Sequence, residues 1–221
     1  MTRLVVFDLD GTLVDSHRDI ADATNAVIAD LGGTPLEQSV ITSLVGEGAA
    51  VLIRRAMDRA GLDVDLRVAL ECFLVHYDAR LLATTVPYPG MVSALEALNH
   101  GRRLAVLTNK PQQPSERIID GLGLRRFFAE VVGGDTPYGR KPNAAGLVAL
   151  MANAEVTPQE TLLVGDSPVD LATARNAGAH ICLARYGFGY RTDNVTFDGR
   201  ELFIDEPQAV VPALAQIEGH T

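Results

Sequence analysis

The chain has 221 residues, 47% hydrophobic and 21% charged, with a formal net charge of −9. That is enough for one sizeable core, or a core with a small second domain, of the soluble globular class. The acidic balance argues against nonspecific binding to nucleic acid or anionic membranes, which requires basic surface. An anionic small-molecule partner would need a local cluster of positive groups.

The chain opens on "MTRLVVFDLDG", whose apolar run is too short for a signal peptide and is closed by acids. No apolar stretch is long enough to span a bilayer, so the expected location is the cytoplasm. "RLVVF" (3–7) reads as a strand buried on both faces. It runs into Asp8 and Asp10, two like charges one residue apart, which call for compensation from elsewhere in the chain.

Residues 16–86 read as helices throughout. "HRDIADATNAVIADLG" has apolar residues at helical spacing and stops at Gly32–Gly33. "TPLE" (34–37) has the pattern of a capping box, with Thr34 as N-cap, proline at the first helical position and Glu37 reaching back. "GAAVLIRRAMDRAG" and "DLRVALECFLVHYDARLLA" supply the remaining helices. "TTVPYPG" (84–90), with two prolines and a glycine, marks the return to strand and helix in alternation.

Strands are expected at 103–108, 129–134, 161–165 and 180–184, with helices at 90–100, 114–122, 143–154 and 168–177. Residues 202–204 add an edge strand and 207–218 a last helix. Alternating strand and helix implies an α/β fold: a Rossmann-like parallel sheet with helices on both faces. The expected organisation is a core domain of residues 1–15 and 87–221, and an inserted all-helical cap of residues 16–86.

Ligands of such sheets bind beyond the carboxyl ends of the strands. After the first strand come Asp8 and Asp10. Thr108, Asn109 and Lys110 follow the second, Asp135 and later Arg140–Lys141–Pro142 the third, and Asp166, Ser167 and Asp170 the fourth. Carboxylates from two strands make an oxygen-rich site for a hard, octahedral cation such as Mg²⁺. No histidine or cysteine stands at these positions, which argues against zinc there. Thr108, Asn109, Lys141 and the backbone N–H groups after Asp8 are suited to cradling a phosphoryl group. "SPVD" (167–170) is also a capping-box pattern, so Asp170 has a purely structural reading beside an ordering role toward the metal or Lys141.

"DLDGTLVDS", "LTNK", "RKP" and "VGDSPVD" together resemble, in order, the four motifs of the haloacid dehalogenase-like hydrolase superfamily, over essentially the whole chain. The helical insert sits where members with a helical cap carry it. The resemblance implies Asp8 as a nucleophile that forms an aspartyl-phosphate, and Asp10 as general acid and base. It implies Mg²⁺ held by Asp8, the backbone carbonyl of Asp10 and Asp166, with Asp170 behind them. Thr108 and Lys141, assisted by Asn109, would bind the transferring phosphoryl.

Within the superfamily, "LVGEGAAVLIRRA" (44–56), "LAVLTNKP" (104–111), "GGDTPYGRKPNAAGL" (133–147) and "ARYGFGY" (184–190) are similar to bacterial phosphoglycolate phosphatases. This implies a Mg²⁺-dependent phosphatase of a small phosphorylated metabolite, with 2-phosphoglycolate as the first expectation. Pyrophosphatase, sugar-phosphate phosphatase and phosphomutase activities stay open, as does the remote reading of a phospho-aspartate regulatory protein. The oligomeric state is not legible.

A substrate with a second anionic end needs a bidentate partner, and Gly46, Glu47, Gly48 and Arg55 of the insert are candidates for that selection. Hinges are expected near residue 15 and at 86–89. Lys110 and Arg140 read as solvent-facing, Cys72 and Cys182 as small buried hydrophobes. His17, His76, His100, His180 and His220 read as unpartnered.

Overall fold

Successive side chains of a strand point to opposite faces, so a strand apolar at every position has a core on each side. The first run does this. Val5 and Phe7 enter one buried cluster, and Leu4 and Val6 enter the other. The computed structural model describes residues 1–193 and 195–218, so His220 lies outside the described residues.

The strands are β1 (Leu4–Phe7), β2 (Val14–Asp15), β3 (Val86–Pro87), β4 (Arg103–Leu107), β5 (Glu130–Val132), β6 (Thr161–Gly165), β7 (His180–Ala184) and β8 (Leu202–Ile204). Six of them form one parallel sheet in the order β5-β4-β1-β6-β7-β8. The order reverses at β1, with β4 on one side and β6 on the other, which places the ligand crevice at β1's carboxyl end. Phe7 pairs with both Val106 and Val164, so the three strands end almost level.

Helices α1 (His17–Asp30), α2 (Gln38–Thr42), α3 (Ala49–Ala60) and α4 (Leu66–Asp78) lie between β2 and β3. The sheet is covered by α5 (Met91–Asn99), α6 (Gln112–Gly121), α7 (Ala145–Ala154), α8 (Pro168–Ala177) and α9 (Val210–Glu218). Leu147, Leu150 and Leu171 from α7 and α8 pack against Leu4 and Val6, whereas Leu95, Ile118 and Leu214 from α5, α6 and α9 share the cluster of Val5 and Phe7. That second cluster runs on into the helical insert through Leu9, Leu13, Ile20, Val27 and Ile53.

Two local expectations are corrected. The capping box at Thr34–Glu37 does not form: α2 begins only at Gln38, and its N-cap Glu37 makes no side-chain cap. Asn25 of α1 explains this, because its amide donates to Leu36 O and its Oδ1 accepts from Leu36 N, both at 2.8 Å, holding the segment off helical geometry. The insert also holds a strand residue: Val86 pairs with Asp15 and Pro87 with Val14, antiparallel, tying the two crossings between sheet and insert together. Two-residue strands leave no periodicity to read. The "SPVD" box does form, with Ser167 capping α8 and Asp170 answering it.

Candidate active site

The turn after β1 is set by its hydrogen bonds. Asp8 N donates to Val164 O at 2.9 Å, and Leu9 O accepts from both Leu13 N and Val14 N at 3.0 Å. Gly11 closes the turn at φ +89°, and a Cβ there would stand 2.1 Å from Asp166 Oδ2. Backbone conformation and space both require glycine. The result sets Asp8 and Asp10 into the crevice as part of one tight turn.

Asp8 faces the carboxyl end of β6. Its Oδ1 is 2.8 Å from Lys141 Nζ, which also donates to Asp170 Oδ1 at 2.6 Å. The Asp8–Lys141 contact is a buried ion pair, and Lys141 is thereby shared between Asp8 and Asp170. Asp170 Oδ2 accepts from Ser167 N and Oγ at 3.1 and 2.6 Å. Asp166 Oδ2 accepts from Gly189 N at 2.7 Å.

Three carboxylates, Asp8, Asp166 and Asp170, thus present oxygens within 4.8 Å of one another, all buried, against the single lysine among them. Burial pushes Asp8 up to about 6, although Lys141 pulls the other way. Burial, then the neighbouring Asp8 and Asp170, push Asp166 well above its ordinary value. Burial pulls the Lys141 ammonium down, but Asp170 and Asp8 more than offset this and leave it above its usual range. The cluster is short of positive charge and offers only oxygen donors. A hard divalent cation fits both observations.

Asp10 is held separately. Lys110 Nζ reaches its two oxygens at 3.0 and 2.8 Å, and Ser16 Oγ donates to Oδ1 at 2.6 Å. Lys110 is therefore buried, not solvent-facing: it turns inward under the ring of Tyr77, 4.6 Å from its centroid. The Asp10 carboxylate is the partner the sequence reading lacked.

Thr108 stands at the end of β4, its N–H on Val132 O at 3.0 Å and its Oγ1 accepting from Lys110 N at 3.2 Å. Asn109 departs from expectation. Its amide donates to Gly46 O at 3.0 Å and Lys141 O at 3.1 Å. Both side-chain donors are used, so Asn109 ties the insert to the Lys141 loop, and any hand it has in holding a phosphoryl group falls to its backbone N–H.

A pocket of about 740 Å³, including its open mouth, rises from Asp8, Asp10, Thr108, Lys110 and Asp166 to the insert. Its upper wall is mostly apolar: Ile20, Val45, Leu52, Phe73, Leu74 and Phe188. Gly46 and Gly48 line it as well. Glu47 and Arg55 instead pair with each other at 2.7 Å, and Arg55 borders a separate shallow depression with Ser43, Asp58 and Arg59.

The sequence reading missed Ser16 and Tyr77, and it turned Lys110 outward. The only signal for Lys110 was its place after β4, and spacing alone does not aim a side chain. Two histidines read as unpartnered have partners: His17 meets Asp15, and His76 Nε2 lies 2.6 Å from Asp30 Oδ2. Cys182 is buried as expected, whereas Cys72 is only half-buried.

Residues 5–184 match the family described as haloacid dehalogenase-like hydrolase. The phosphoglycolate phosphatase of Rhodospirillum rubrum is 42% identical over 196 residues, covering 85% of this chain and 81% of that protein. That of Agrobacterium fabrum is 36% identical, covering 97% and 93%. The crystal structure of a predicted phosphoglycolate phosphatase from Haemophilus somnus 129PT superposes with a TM-score of 0.89 at 29% identity, over 96% of this chain and 98% of that one.

Proposed function

The chain belongs to the haloacid dehalogenase-like hydrolase family and is a phosphatase of it, and on that premise we propose that it hydrolyses a small phosphate monoester through an aspartyl-phosphate on Asp8, with 2-phosphoglycolate as the first substrate. The observation that carries this is the gathering of Asp8, Asp166, Asp170 and Lys141 at the carboxyl end of β1, with Asp10 held apart by Lys110.

In this reading an Asp8 oxygen attacks phosphorus and the bond to the ester oxygen breaks. Asp10 gives that oxygen its proton. Water then attacks phosphorus of the aspartyl-phosphate, Asp10 takes the water's proton, and phosphate leaves with Asp8 restored. Lys141 and Thr108 hold the phosphoryl oxygens, where charge accumulates. Asp8, the backbone carbonyl of Asp10 and Asp166, with Asp170 beside them, would hold Mg²⁺, which would supply positive charge to offset that of the phosphoryl group.

Residues 16–86 act in this proposal as a cap whose apolar wall keeps bulk water from the acyl phosphate. For a substrate with a carboxylate, Lys110 borders the pocket but is held by both oxygens of Asp10, as Arg55 is held by Glu47, so that second anionic end would compete with Asp10 at Lys110 or with Glu47 at Arg55.

The test is a panel of small phosphate esters, pyrophosphate included, ranked by kcat/KM with and without Mg²⁺. The proposal expects 2-phosphoglycolate first and negligible turnover without metal. A flat ranking withdraws the substrate, and isomerised sugar phosphate in place of free phosphate would move the assignment to a mutase.

A further inference from the structure

Cys72 and His76 stand one turn apart on α4, so their side chains share one face of that helix. That face meets the last residue of α1, Asp30. Asp30 Oδ2 lies 2.6 Å from His76 Nε2 and 3.6 Å from Cys72 Sγ. One thiol, one imidazole and one carboxylate thus present ligand atoms within 4.8 Å of one another, joining the two helices. None of the three residues lines the pocket of Asp8 and Asp10.

We propose that Asp30, Cys72 and His76 form a second metal site, for a thiophilic divalent ion of the zinc class. Donor atoms around a tetrahedral zinc lie roughly 3.2–3.8 Å apart, given bond lengths of about 2.0–2.3 Å. The sulfur–oxygen separation already has that value. The imidazole–carboxylate contact must open by less than about 1 Å, and Asp30, with its side chain 56% exposed, is free to swing. Solvent completes the fourth position. The donor chemistry separates this site from the cluster at β1: sulfur and imidazole select zinc-class ions, whereas three carboxylates select hard ones.

Binding proceeds with a defined proton balance. Cys72 loses its thiol proton to solvent and binds as thiolate; the neutral His76 ring, whose Nε2–H faces Asp30 before binding, shifts that proton through solvent to Nδ1 and binds through Nε2; and Asp30 binds as carboxylate. One proton leaves per ion. Because a proton is released on binding, affinity rises with pH. The ion would clamp α4 to α1 one residue away from the pocket wall. Phe73 and Tyr77 directly follow the two ligands and stack on each other at 5.4 Å, and Tyr77 covers Lys110.

Co²⁺ titration of chelator-stripped protein in saturating Mg²⁺ tests the site through thiolate-to-cobalt charge-transfer absorption, which reports sulfur ligation alone and is independent of turnover. One equivalent should saturate the band in wild type, and Zn²⁺ should remove it. Cys72→Ser should abolish it. His76→Gln and Asp30→Asn should each weaken binding by at least about 10-fold, and phosphatase activity in Mg²⁺ alone should persist in all three variants. Absence of the band in wild type, or an undiminished band in Cys72→Ser, overturns the proposal. If Cys72→Ser misfolds by circular dichroism, His76→Gln and Asp30→Asn decide, and unchanged affinity in both overturns it.

Discussion

Lys110 holds both oxygens of Asp10 at once, at 3.0 and 2.8 Å, from a loop a hundred residues further along the chain. Asp10 leaves the turn after β1, Lys110 leaves the end of β4, and the ring of Tyr77 closes over the ammonium from α4. Three separate parts of the chain thus fix the orientation of the one acid whose proposed work is to move protons.

Replacing Lys110 by Met keeps the length of the side chain and removes its charge. General acid–base catalysis is worth about 10²–10⁴-fold, and loosening the acid should forfeit part of that, about 10–100-fold in kcat. The circular dichroism spectrum should not change. If Lys110 also receives the substrate carboxylate, KM for 2-phosphoglycolate should rise more than KM for a phosphate ester of a neutral alcohol. Steady-state kinetics on both substrates separates these effects, and an unchanged kcat would detach Lys110 from Asp10.

Asp8→Asn should lower turnover by at least about 10⁴-fold, since it removes the proposed nucleophile. The fold should survive, because the amide fills the same space and relieves a crowded, buried set of carboxylates. The melting temperature without metal should be equal to or above that of wild type. Phosphate release and thermal melting check the two halves. Residual Mg²⁺-dependent turnover near the wild-type rate would remove Asp8 from the chemistry.

The strands and the residues at their carboxyl ends were legible because they rest on strong local signals. A short apolar run bounded by turn signals and alternating with helix-length segments reads as a strand with a core on both faces, and β1, β4 and β6 each deliver their polar residues at the next position. Lys110, Asn109 and Asn25 were not legible for the opposite reason. Each is defined by where a long or amide-bearing side chain turns, and its partners (Asp10, Gly46 and Leu36) are distant in sequence. Local pattern also misled at Thr34–Glu37, where two hydrogen bonds from Asn25 outcompeted a capping box that depended on a helix starting at Pro35.

Chelation should abolish activity, and Mg²⁺ should restore it. Binding to the folded state alone stabilises by about 2.7 kcal/mol when the ion is at 100 times its dissociation constant. The melting temperature should therefore climb with Mg²⁺ in wild type. Asp166→Asn should lose most of both responses, because it removes one of three converging carboxylates without disturbing the Asp170 cap on α8. A melting curve of Asp166→Asn that responds to Mg²⁺ as wild type does would place the ion elsewhere.

Asp19 joins the first helix of the insert to the strand by which the chain returns to the sheet. It is buried at the start of α1, and its carboxylate accepts from Thr84 N and Oγ1 and from Thr85 N and Oγ1, at 2.7–3.1 Å. Burial pushes its pKa up, but the hydrogen bonds from Thr84 and Thr85 outweigh this and hold it below 3.8. A carboxyl depressed in the folded state stabilises fully above its unfolded value, and the contribution fades as pH falls through the folded one. Asp19 should therefore support the fold at neutral pH and cease to do so only in acid, at and below about pH 3.8. Asp19→Ala strands the two buried donors of Thr85 and releases the two donors of the exposed Thr84 to solvent, and should cost about 1–3 kcal/mol at pH 7. Asp19→Asn, which does not titrate, should flatten the acid limb of the stability curve. Chemical denaturation from pH 7 to pH 3 checks both, and an acid limb of unchanged steepness in Asp19→Asn would mean that other carboxylates set the acid sensitivity of the fold.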